Sequence, residues 1–178
     1  LQLGNKAFAT EDENAFRFLV VNETHLMVAY RQAVLWEESK SQRGRIVAVS
    51  GTAETDDHAP FVVWLNGLIS RLAADGKNLE PVQISVDELD EEDREEWQRW
   101  LPAHGVWTPF TTSLGERLGG AFLVRENPWS ESEIKLLAKI SVFYANAWDA
   151  MRNRVKQGFL SSLTGFNLNQ GWIKYSAV

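Results

Sequence analysis

Residues 30–53 read YRQAVLWEESKSQRGRIVAVSGTA. Ala33, Val34, Leu35 and Trp36 are four consecutive apolar side chains, so Gln32 to Glu37 suits a strand covered on both faces. Ser39 to Gly44 is a polar turn, and Arg45 to Ala53 returns as the partner strand of a hairpin. A hairpin with both faces apolar needs helices above and below it, and the flanking sequence supplies them. Upstream, Thr10-Glu11-Asp12-Glu13 has the form of a capping box with Thr10 as N-cap, and Phe16, Leu19, Val20 and Met27 keep helical spacing, which predicts a helix over 11–28. Downstream, Asp57 is placed to cap a helix with Pro60 in its first turn, the stripe Phe61, Trp64, Leu65, Leu68, Ile69, Leu72, and Gly76 as its stop.

The second half holds a second hairpin and no internal repeat. Pro81 to Val86 reads as a short strand and 91–101 as a short helix capped by Asp90, with Trp97 and Trp100 on one face. Val106 to Thr111 reads as a strand in which Pro109 demands an edge or a bulge, and Leu118 to Arg125 pairs back. Gly119-Gly120 suits a place of close approach by another group. Ser130 to Glu133 is a second capping box, with Trp129 and Ile134 as a hydrophobic staple. A long helix from 131 to about 153 carries Leu137, Ile140, Tyr144, Trp148 and Met151. The expected class is α+β: a central, mostly antiparallel sheet with helices on both faces and a long C-terminal helix.

Composition narrows function by exclusion. The 178 residues contain no cysteine, which excludes disulfides, thiolate metal sites and cysteine nucleophiles. His25, His58 and His104 are too dispersed for a zinc site. Neither phosphate-binding glycine loop, no Gly-x-Ser-x-Gly elbow and no His-Glu-x-x-His occurs, so the expectation is a non-enzymatic chain without cofactor or metal. Of the formal charge of −6, residues 150–178 carry +4 through Arg152, Arg154, Lys156 and Lys174, leaving −10 on residues 1–149. Such a body repels nucleic acid. The acidic run Asp87 to Glu96 reads as a solvated helix start whose carboxylates favour the helix N-terminus. The basic tail, with Trp172, Lys174 and Tyr175, has the composition that flanks a membrane helix.

The order of elements over roughly residues 10–152 resembles a GAF domain. Tyr30-Arg31-Gln32-Ala33-Val34-Leu35-Trp36, Trp100-Leu101-Pro102-Ala103-His104-Gly105-Val106-Trp107 and Asn127-Pro128-Trp129-Ser130-Glu131 are similar to the GAF-like part of bacterial HlyD-type periplasmic adaptor (membrane fusion) proteins. The resemblance implies a GAF-like domain over 1–153 and a basic, aromatic tail over 154–178 that leads to a membrane helix beyond Val178. It implies placement on the cytoplasmic side of the inner membrane and a sensory or regulatory role in secretion or efflux. The Asn-Lys-x-Asp signature of cyclic-nucleotide GAF domains is not evident, and no cysteine is present to attach a bilin. The expected site is a pocket between the sheet and the 58–74 helix for an unidentified small molecule. Trp36, Phe61, Trp64 and Trp107 would form its walls, and Arg31, Ser50 and His58 would orient the ligand. The alternative is a ligand-free module that dimerises or docks through residues 11–28 and 131–153.

Overall fold

A computed structural model describes residues 5–7, 12–39, 44–74 and 79–166, with side chains to residue 157. After a helical turn over 5–7 come helix α1 (Glu13–Phe18), a π-helical turn (Leu19–Glu23) and a 3-10 turn (Thr24–Leu26). Strands β1 (Gln32–Glu37) and β2 (Arg45–Val49) follow, then α2 (Pro60–Ala74), β3 (Val82–Ile84), a 3-10 turn (Val86–Glu88) and α3 (Glu91–Trp100). Strands β4 (His104–Thr111) and β5 (Arg117–Arg125) and helix α4 (Glu131–Phe166) complete the chain. The five strands lie in the order β2-β1-β5-β4-β3, and every neighbouring pair is antiparallel. The architecture is the expected GAF-like α+β fold.

The period of two along β1 assigns side chains to the two faces. Ala33 and Leu35 join one apolar layer with Phe16 and Leu19 of α1 and Leu137, Tyr144 and Trp148 of α4. Val34 and Trp36 join the other, with Leu65, Leu68 and Ile69 of α2, Trp97 of α3, and Trp107 and Phe122 of the sheet. The sheet is thus enclosed between α1 and α4 on one side and α2 and α3 on the other. Gly119 and Gly120 allow close approach, as expected: a Cβ at Gly119 would stand 2.1 Å from the Trp36 carbonyl oxygen, and one at Gly120 2.5 Å from the Trp107 ring.

Several expectations are corrected. The helix predicted over 11–28 is regular only to Phe18 and then widens and tightens in turn. Its N-cap is Asp12, whose carboxylate accepts from Asn14 N–H at 3.1 Å, while Thr10 lies outside the described residues. β2 ends at Val49 rather than Ala53, because the Ser50 hydroxyl and amide both bond to Ala33 and close the ladder there. Asp56, not Asp57, braces the turn before α2 by accepting from His58 N–H at 2.9 Å. Trp97 and Trp100 part company: the first is buried and the second is 42% exposed. Asp93 turns inward from the acidic run expected to be solvated and is buried. Pro109 lies on β4 past Trp107, the last residue that β3 pairs with, so its missing N–H leaves no ladder bond unmade there. The long helix runs on to Phe166 instead of stopping near 153. The stop at Gly76 and the tail residues Trp172, Lys174 and Tyr175 lie outside the described residues.

Two of the four capping devices read from the sequence are in place. Asp90 accepts from Asp93 N–H at 2.8 Å. Ser130 and Glu133 exchange bonds, with Ser130 N–H donating to Glu133 Oε2 at 2.8 Å and Glu133 N–H to Ser130 Oγ at 3.3 Å.

Candidate functional site

The space between the sheet and α2 is occupied at its centre by aromatic side chains. Trp36 and Trp107 are buried and meet edge to face, with ring centroids 5.9 Å apart. Trp97 and Phe122 form a second such pair at 5.7 Å. The Trp36 indole N–H donates to Asn66 Oδ1 of α2 at 3.1 Å, and Gly44 lies against its ring. These rings fill the middle of the layer, so what remains open lies at its margin.

That opening is a cleft of about 710 Å³ between the C-terminal half of α2 and the segment from β3 to the start of α3. Trp107 contributes to its inner wall, Leu68, Leu72 and Arg71 to one side, and Gln83 and Ser85 to the other. Among the described residues edge strand β3 pairs with β4 alone, so backbone groups along its outer side have no strand partner there. Asp93 anchors the α2–α3 side: its carboxylate accepts from Trp64 Nε1–H at 3.0 Å and pairs with Arg71, a charge-assisted contact that accounts for its burial. An arginine paired with a carboxylate, and exposed amide and hydroxyl side chains at the mouth, suit a small polar molecule held by hydrogen bonds.

The seven predicted site residues divide. Trp107 lines this cleft, and Trp36 supports it from behind. Phe61 and Trp64 sit together near the start of α2, half-buried against the apolar layer between α2 and the sheet, with centroids 6.4 Å apart, and touch the cleft only through the bond from Trp64 to Asp93. The other three lie elsewhere. Arg31 is exposed at the end of β1 and pairs with Glu126 at 2.7 Å, holding that carboxyl below its ordinary range. Ser50 is used by the β1–β2 ladder. His58 is exposed in the turn before α2. Arg31 and Ser50 lie at the same end of the β1–β2 pair and His58 in the turn before α2, and none of the three lines this cleft. Sequence reasoning missed Arg71, Gln83 and Asp93. A signal existed for two of them, since Arg71 follows Trp64 by two helical turns and Asp93 precedes Trp97 by one.

A second concavity, of about 620 Å³, lies at the opposite end of β1, where α4 passes the sheet. Its chief feature is Glu37, whose carboxylate takes Arg152 of α4 at 2.5 Å and has Arg17 of α1 at 3.7 Å and Arg45 of β2 at 3.8 Å. The guanidinium of Arg152 also lies over the Trp148 ring, 4.8 Å from its centroid. Among the described residues no group of three His, Asp or Glu side chains is arranged to hold a metal, and no helix is long and apolar enough to cross a membrane.

No family model and no curated protein matches this sequence. Solved structures do. The chain is similar to a methyl-accepting chemotaxis protein fragment, with a TM-score of 0.62 and 14% identity over 84% of this chain and 96% of that one. It is similar to the phycoerythrobilin-bound GAF domain of a cyanobacterial phytochrome, with a TM-score of 0.65 and 13% identity over 86% and 96%. It is also similar to a domain of a putative two-component sensor histidine kinase from Sinorhizobium meliloti 1021, with a TM-score of 0.56 and 19% identity over 76% and 90%. At these identities the likeness concerns the fold, and the fold of this chain is that of a GAF domain.

Proposed function

We propose that this chain is a non-catalytic sensory or regulatory GAF-like domain that binds a small polar molecule in the cleft between α2 and β3. The observation that carries the reading is the cleft itself. It opens on the α2–α3 side of a GAF fold, beside an arginine and a buried carboxylate that hold each other in place. Those groups are preorganised and offer hydrogen bonds in several directions, while the carboxylate is committed to structure rather than to proton transfer. Two of the similar folds belong by name to a chemotaxis protein and a sensor kinase, and a third is bilin-bound, which supports a sensory role. The motif likeness over residues 30–36, 100–107 and 127–131 supports a finer reading: the cytoplasmic part of a HlyD-type secretion or efflux adaptor, adjacent to the inner membrane.

Native mass spectrometry of the purified chain, followed by a thermal-shift screen of polar metabolites, tests the ligand reading. A retained molecule, or a hit whose shift disappears in Gln83→Ala, is the expected result. A ligand-free mass together with an empty screen would overturn it. The second reading, a ligand-free dimerisation or docking module, is favoured by one observation. Val142 and Phe143 are exposed on α4 and line an apolar groove with Met27 and Leu136. Sedimentation that returns a monomer at high concentration would exclude a homodimer.

A further inference from the structure

Where the start of α2 meets the end of α3, three aromatic side chains form a cluster outside the lining of the cleft, two of them half-buried and the third exposed. Phe61, Trp64 and Trp100 stand side by side, with Phe61 at 6.4 Å from Trp64 and 5.9 Å from Trp100, centroid to centroid. Both indoles are tethered by their edges to carboxylates of α3: Trp64 N–H to Asp93 at 3.0 Å and Trp100 N–H to Glu96 at 2.7 Å. An N–H bonded to an anion leaves the ring electron-rich, which favours a cation over its face. Trp100 keeps 42% of its surface in solvent although it is one of the largest apolar side chains of the fold.

The net charge around the rings is negative. Asp87 to Trp100 contains eight carboxylates and two arginines. Those arginines are committed, Arg94 to the carbonyls of Asp87 and Leu89 and Arg99 to Glu96, and Arg71 is committed to Asp93. Glu92 lies on the helical stripe of Glu96 and Trp100, and among the described residues neither Glu92 nor Glu95 has an ion pair.

We propose that Phe61, Trp64 and Trp100 form a docking platform for an extended basic peptide segment of a partner protein. Arg or Lys side chains would lie over the rings, and Glu92 and Glu95 would supply the surrounding negative field. Spacing favours a peptide over a small cation. The rings are inclined to Phe61 by 48° and 54° and spread across two helices, whereas alternate side chains of an extended peptide repeat at about 6.6 Å, close to the ring separations. The platform and the cleft share one contact, the Trp64–Asp93 bond, but none of Phe61, Trp64 and Trp100 lines the cleft.

The probe is the acetylated, amidated peptide Arg-Gly-Arg-Gly-Arg, titrated against the intact chain by tryptophan fluorescence and by indole N–H NMR shifts. Saturable binding that weakens with added salt is expected. Trp100→Ala should weaken it about two- to fivefold, the effect of one exposed cation–π contact, with the melting temperature nearly unchanged because the ring is a surface group. Trp100→Phe should retain binding, and the same peptide with citrulline in place of arginine should not bind. Absence of saturation, unaltered affinity of Trp100→Ala, or equal binding of the citrulline peptide would each overturn the proposal. So would saturation by tetramethylammonium at the concentrations the peptide needs, which would make the platform a small-cation site.

Discussion

The packing of glycine beneath tryptophan gives a quantitative test of the fold. In Gly120→Ala the new methyl carbon would stand 2.5 and 2.7 Å from two carbons of the Trp107 ring and 2.6 Å from the Thr108 carbonyl oxygen. Non-bonded carbons rest at about 3.5–4.0 Å, so all three contacts are about an ångström too short. The ring is held edge-on against Trp36 at 5.9 Å, and the carbonyl belongs to β4, the strand paired with β5 at this position. Overpacking of a core costs about 1–3 kcal/mol. A backbone obstacle places Gly120→Ala at the upper end, about 3 kcal/mol. For a chain of this size that corresponds to a fall in Tm of about 6–12 °C. Urea unfolding followed by far-ultraviolet circular dichroism and by tryptophan fluorescence would measure it, and coincidence of the two curves would license the two-state analysis. A loss below about 0.5 kcal/mol would refute the reasoning, because it would mean that Trp107 is not seated on Gly120.

Three further outcomes follow from the same contacts. Gly67→Ala, in the middle of α2 with its nearest neighbour at 3.6 Å, should stabilise the chain by about 0.5–1 kcal/mol in the same urea series. Arg125 donates to both oxygens of Glu133, at 2.6 and 2.7 Å, and with the Ser130 amide lowers that carboxyl from 4.5 to about 2. Its stabilisation is therefore full above about pH 4.5 and is lost as the pH falls through about 2, so the parent chain and Glu133→Gln should differ in urea midpoint at pH 6 and converge near pH 2. Tyr144→Phe removes the 2.7 Å bond to Thr24 and should cost about 1 kcal/mol. Burial raises the Tyr144 hydroxyl to about 12, so its stabilisation holds below about pH 10 and fades as the pH rises through 12; an alkaline difference spectrum should show one late-ionising tyrosine fewer in the variant.

Much of the fold was legible because local and long-range preferences agree in it. The run Ala33 to Trp36 is buried on both faces, as four consecutive apolar residues require. Ser130 with Glu133 and Asp90 with Asp93 are short-range hydrogen-bonding patterns that need no tertiary information. What failed depended on contacts distant in sequence. The switch from α-helix to π-helical turn at Leu19 coincides with Thr24 bonding to Tyr144, 120 residues away. Arg31, Ser50 and His58 are expected to orient one ligand, but a sequence does not show which partner a side chain takes: Arg31 pairs with Glu126, 95 residues away, and Ser50 is used by the β1–β2 ladder. Asp93 was counted among solvated acids because its two partners lie on α2, 22 and 29 residues earlier. The cleft forms where these distant pairs close, which is why only Trp107 of the expected residues lines it.

The cluster at Glu37 has a mechanical consequence. One carboxylate connects guanidinium groups from the N-terminal helix, the edge strand and the C-terminal helix, so these three elements share a pivot at one end of the sheet. Beyond Arg152, α4 continues for fourteen residues to Phe166, a rod of about 21 Å. A tilt of about 10° at the pivot would carry the far end of that rod by about 4 Å. A rearrangement of side chains too small to disturb the sheet would then become, at the end of the lever, a displacement comparable to most of a helical turn.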